Sequence, residues 1–175
     1  MKYGEGLWVV RGDMRVQFRD EAYPKTMGFE YNDGTGDVGE LLLEDFTIDY
    51  VPPGASSALR MTIAGDPSHK IHENSFDFDF ASIPWLFRMS VCDKADHRIR
   101  VGSLFHDMLH CTHTFSRKFT DRMLVEINEA YGMGWYKNKK IYAGVRVGGG
   151  GPWNSHSDEE IAMYRKLFRV TEILM

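Results

Sequence analysis

Apolar and polar positions alternate through the first half of the chain and recur every third or fourth residue through the second. Leu7 to Val10 and Met14 to Phe18 are short predicted strands on either side of Arg11-Gly12-Asp13, which is hairpin-turn chemistry. Leu41 to Val51 alternates with Phe46, Ile48 and Tyr50 on one face and stops at Pro52-Pro53-Gly54. Leu59 to Ile63 repeats the pattern. Phe76, Phe78 and Phe80 alternate with Asp77 and Asp79, predicting a strand with one aromatic and one acidic face. From Ser82-Ile83-Pro84-Trp85 onward the period becomes helical, with helices expected near 83–90, 98–113, 117–131, 135–146 and 157–172.

The third of these carries Phe119, Met123, Ile127 and Tyr131 at four-residue spacing with Leu124 alongside, a core stripe. The last opens on Ser157-Asp158-Glu159-Glu160, a capping box by pattern, and presents Ile161, Tyr164, Leu167 and Phe168 on one face. Gly148-Gly149-Gly150-Gly151-Pro152 should interrupt helix and act as a linker. Asn32 to Asp37 is a polar glycine-rich loop without the twelfth-position glutamate of an EF-hand. Segregated strands and helices predict an α+β fold. It consists of an N-terminal antiparallel sheet, then a helical C-terminal half containing an antiparallel helix pair. One domain over 1–175 is expected: strands and loops to 80, a helical core over 81–147, a linker over 148–156 and a terminal helix over 157–175.

A chain of 175 residues can build a real core, and its 13% aromatic content argues against disorder. The net charge of −4 leaves no broad electrostatic footprint for nucleic acid. A local basic patch remains around Arg117-Lys118, Arg122 and Lys137 to Lys140. Two cysteines, Cys92 and Cys111, read as reduced thiols rather than a disulfide framework. The apolar runs are too short to span a bilayer, and Met1 to Gly6 lacks the order of a signal peptide. A cytoplasmic protein is expected.

Chemistry concentrates in Phe105-His106-Asp107-Met108-Leu109-His110-Cys111-Thr112-His113, followed by Arg117 and Asp121. Residues three and four apart share a helix face, so three imidazoles line up at 106, 110 and 113. A histidine serves as general base when a carboxylate orients its second nitrogen. In an antiparallel pair joined by a short loop, Asp121 should lie opposite 106–110, which nominates His106 and Asp121 as a catalytic pair. Asp107 projects about 100° from His106 around the helix. His106, His110 and His113 are also candidate metal ligands, since two histidines four apart, as 106 and 110 are, are a zinc spacing, and Asp107 with His110 and His113 forms a candidate divalent-metal set. His113 also suits a plain helix C-terminus, where cations are favoured. Arg117 can hold a carboxylate or phosphate, or make a surface ion pair.

Asp79-Phe80-Ala81-Ser82-Ile83-Pro84-Trp85, Leu104 to His110, Arg117, Thr120-Asp121 and Tyr142 to Arg146 together resemble domain of unknown function family 1353, typically phage and prophage proteins. His110 stands where that family usually has tyrosine, and Thr120 where it usually has alanine. The resemblance adds Asp79 to the site candidates and implies a phage setting, with location in the host cytoplasm or on the virion and a phage structural or host protein as partner. The His-Asp pair, the ring four residues later and the aspartate on the return helix are also similar to the helix pair of secreted and viral-capsid phospholipases. That similarity implies His106 as base, Asp121 as its orienter and Asp107 as a calcium ligand.

Two functions follow. One is a small hydrolase acting on an ester or amide through His106. The other is a non-catalytic virion-associated or host-interaction protein, such as a defence inhibitor, in which His106, Asp107, Asp121 and Arg117 form a structural network. A hydrolase predicts an accessible His106 ring; a structural network predicts an enclosed, fully hydrogen-bonded one.

Overall fold

The computed structural model describes residues 7–11, 14–18, 23–30, 38–52, 55–66, 76–78 and 96–174. Its elements run β1 (Leu7–Arg11), β2 (Met14–Phe18), β3 (Thr26–Glu30), β4 (Val38–Leu42), β5 (Phe46–Val51), β6 (Ser57–Ile63), β7 (Asp77–Phe78), α1 (His97–Thr112), α2 (Arg117–Ala130), α3 (Trp135–Gly148), α4 (Gly150–Ser155), α5 (Asp158–Lys166) and β8 (Phe168–Leu174). One sheet has the order β1-β2-β5-β6-β8 and the other β3-β4-β7, with every pairing antiparallel. The fold is α+β, as the two periodicities predicted. Gly12-Asp13, Asn32 to Asp37, Asp79, Phe80, the 83–90 helix and Cys92 lie outside the described residues.

The main core joins the larger sheet to the helix pair. Phe46, Ile48, Tyr50, Met61 and Ile63 pack against Val101, Leu104, Phe105, Met108 and Leu109 of α1 and Met123 and Ile127 of α2. A smaller cluster of Ile99, Leu124, Met133, Ile141 and Val145 fastens α3 to the same pair. Gly102 faces Asn128 while His106 meets Asp121, so α2 runs back along α1. A Cβ on Gly102 would lie 2.2 Å from Asn128 Oδ1, which is why the two backbones can approach closely there. Asp96 caps α1 by accepting from the Arg98 N–H, and Ser116 caps α2 by accepting from the Phe119 N–H.

Three expectations are corrected. The stretch Leu41 to Val51 is two strands in different sheets, β4 and β5. The exposed pair Glu44 and Asp45 breaks it, and Asp45 accepts from the Gly65 N–H. The terminal helix ends at Lys166. Phe168, expected on its apolar face, is instead buried beside Ile63 in β8, and Arg169 is exposed. Val170, Thr171 and Ile173 are β-branched, and β6 offers them a strand to pair with. The 148–156 linker is helical as well. Gly149 donates to Val145 O at 2.9 Å and accepts from the Trp153 N–H at 3.1 Å, so α3 passes into α4. Pro152 falls in the first turn of α4, where its missing N–H costs nothing.

Candidate functional site

Helix α1 delivers His106 and His110 to the face that α2 covers, and α2 delivers Asp121. Asp121 is fully buried, and both rings are nearly so. Asp121 Oδ1 lies 2.9 Å from His106 Nε2 and 3.4 Å from His110 Nε2, so two imidazoles share one carboxylate oxygen. The other oxygen accepts from Arg146 Nη1 of α3 at 2.7 Å. His106 Nδ1 faces Asp107 Oδ1 at 3.4 Å. The two rings stand 4.2 Å apart.

These neighbours push the titrations apart. Burial pulls His106 down, but its hydrogen bonds to Asp107 and Asp121 and their charges outweigh that and raise it above its ordinary 6.5. His110 is lowered, chiefly by burial, with the His106 charge adding to it against the opposing bond to Asp121. Burial works to raise Asp121, yet bonds from His106, His110 and Arg146 hold it well below the usual carboxylate range. The two shifts run in opposite directions, so of the two rings His106 holds its proton more tightly. Pairs of groups separated in this way mark acid–base sites more often than ordinary surfaces do.

The expected pair His106–Asp121 is therefore in hydrogen-bond contact, across the helix pair as anticipated. The expected metal set Asp107, His110 and His113 is not brought together. His113 is the C-cap of α1, with a φ of 49°, and its ring stacks on Trp153 at 4.1 Å and 7°. That left-handed turn takes the side chain off the face shared by 106 and 110. Burial lowers His113, opposed by a backbone hydrogen bond with Trp153. Among the described residues, those whose ligand atoms could share one metal ion are His106 and His110, two of the three expected histidines, with Asp121, all within 4.8 Å of one another. Arg117 donates to Arg146 O at 3.2 Å, closing the end of α3 above the site. Asp79 lies outside the described residues.

Arg146, Gly149 and Trp153 were missed as site residues. Arg146 stood inside the quoted Tyr142 to Arg146 segment, but no spacing ties it to a carboxylate 25 positions earlier. Gly149 and Trp153 were hidden by reading glycine as linker. Of the expected basic patch, Lys118, Arg122 and Lys139 come together, beside the acidic Glu126 and Glu129, while Arg117, Lys137 and Lys140 do not join them. Lys118, Arg122, Lys139, Trp135 and Tyr142 line a groove of about 440 Å³ on the outer side of α2 and α3, and no histidine borders it.

No helix among the described residues is long and apolar enough to cross a membrane. No curated protein and no solved structure matches the chain. Residues 64–145 match the family model described as protein of unknown function DUF1353. That stretch is similar to the family and holds α1, α2 and most of α3.

Proposed function

We propose that the protein is a small hydrolase, of phage or prophage origin, in which His106 acts as general base through Nδ1. The observation that carries this is the division of labour on one ring. Nε2 is held by the buried Asp121 at 2.9 Å, while Nδ1 is turned away from it toward the Asp107 side. A base needs one nitrogen tied by a carboxylate and the other able to take a proton. His110 supports the arrangement by bonding the same carboxylate oxygen from the next turn. Arg146 keeps that carboxylate ionised. In the reaction Nδ1 would take a proton from a water whose oxygen attacks the ester or amide carbon. The imidazolium would then return the proton to the leaving group. Asp121 orients the ring and stabilises its charge without itself becoming protonated.

A second reading is favoured by the 3% exposure of His106. An enclosed ring with both nitrogens facing carboxylates is what a structural clamp between three helices requires. In that case the protein is a non-catalytic virion-associated or host-interaction protein. Ester and amide substrates from lipid and cell-wall chemistry, assayed with wild type and His106→Asn, separate the two. The hydrolase reading expects turnover that the substitution abolishes while the fold survives. The clamp reading expects no turnover, and a loss of several kcal/mol on substitution as buried partners are stranded.

A further inference from the structure

The enclosure of His106 and His110 has an identifiable cover. Helix α4 follows α3 without a loop and lies against the end of α1. Trp153 is its one large side chain. It packs edge-on against His110 at 5.0 Å between ring centres and flat on His113 at 4.1 Å. Gly149, at the start of this cover, sits so close that a Cβ would come within 3.3 Å of His110 Cε1 and 2.6 Å of Val145 O. A Cβ on Gly150 would lie 3.0 Å from Arg117 Nη1. The glycine-rich segment is therefore laid directly on the histidine site.

The same cover is weakly anchored. None of the six residues of α4 is buried, in contrast with the core-filling faces of α1 and α2. Around its first turn the Trp153 N–H donates to Gly149 O at 3.1 Å, and the Ser155 hydroxyl donates to Pro152 O at 2.8 Å, both bonds local to the segment itself. Gly148 to Gly151 at its root carry no side chains, so large changes of φ and ψ there cost little sterically. An element with few buried contacts belongs to the low end of local opening free energies.

We propose that α4 is a lid hinged at Gly148–Gly151, with Trp153 as the latch that seats on His113 and His110, and that a ligand reaches the paired imidazoles only when it lifts. The inference rests on the reading that the His106–Asp121 centre is one a ligand must reach. It gives that reading an entry route, past His110, which a permanently closed clamp would not need.

Two measurements on the full chain test the lid without any assay of turnover. Hydrogen exchange read by mass spectrometry should show α4 amides exchanging about 100-fold or more ahead of those in the buried middle of α1 and α2. Equal protection would overturn the lid. Diethyl pyrocarbonate modification, located at His110 by peptide mapping, should run about tenfold faster in Trp153→Ala than in wild type. The α1 and α2 exchange pattern should be unchanged in that variant, which shows that it still folds. An unchanged modification rate would overturn the latch. If the lid opens and no ester or amide is turned over, the hydrolase reading fails alone.

Discussion

Helix α2 has two faces rich in ionisable residues, and they have different fates. The inner face gives up Asp121 to a closed set of charges shared with His106, His110 and Arg146. The outer face gives Lys118 and Arg122 to solvent, beside Lys139 and the exposed Trp135. On the outside, Arg122 pairs with Glu126 one turn away, an arrangement worth only about 0.3–0.5 kcal/mol. On the inside the carboxylate and both rings are buried, so water screens them little, and each partner shifts the others. The lesson is that a cluster of charges becomes chemistry when the fold removes water from it and makes its members compete for one oxygen. The outer groove leaves Arg122 largely exposed; the inner site buries the paired imidazoles with their shared carboxylate.

The largest effect expected from this contrast is in Asp121→Ala. It leaves Arg146 and two imidazoles without their carboxylate and should cost about 3–5 kcal/mol in a denaturant titration. Lys118→Ala and Lys139→Ala on the outer face should stay within about 0.5 kcal/mol. Equal losses on the two faces would erase the distinction. Next comes His106→Asn, which should lower hydrolysis by about 10²–10⁴-fold while costing clearly less stability than Asp121→Ala. A stability loss as large as that of Asp121→Ala, with no activity to lose, would transfer the site to the clamp reading.

pH sharpens the contrast further, because stability and activity should move in opposite directions. The folded pKa of His106 lies above 6.5, so its contribution to stability is fully present below about 6.5 and is lost as pH rises through the folded value. Activity through Nδ1 needs the deprotonated ring and should rise over that same interval. His106→Asn should flatten the stability limb. Asp96 behaves in the opposite sense. Its bonds from Arg98 hold it at about 2, against 3.8 ordinarily, so its contribution is present above 3.8 and fades as pH falls toward about 2. Removing this cap with Asp96→Ala should cost about 1 kcal/mol at neutral pH. The smallest effect is expected in Tyr50→Phe. It removes the hydroxyl that ties the sheet to Glu126 of α2 and should cost about 1 kcal/mol or less in the same titration.

Much of this was legible in the residues. The stripe Met123, Leu124 and Ile127 is buried where four-residue spacing put it, and Ser157 with Glu160 forms the capping box read from the pattern. The His106–Asp121 contact followed from two helices and a short loop, because antiparallel geometry is local. What was not legible depended on partners far along the chain. Phe168 satisfies both a helical and an alternating period, and only the presence of β6 decides between them. His113 keeps helical spacing from His106 but leaves the shared face through a left-handed cap that spacing does not encode. Arg146 and Trp153 reach the site from α3 and α4, and glycine beside them signalled a break where the fold needed close approach.

The most direct measurement is a nitrogen-15 NMR titration of the His106 side chain between about pH 5 and about pH 9, the interval in which imidazoles change charge. Nε2 should keep its proton on Asp121 throughout, and Nδ1 should release one with a pKa above the ordinary 6.5. A ring that never titrates in that interval, or an Nε2 that carries a metal ion in place of its proton, would contradict this.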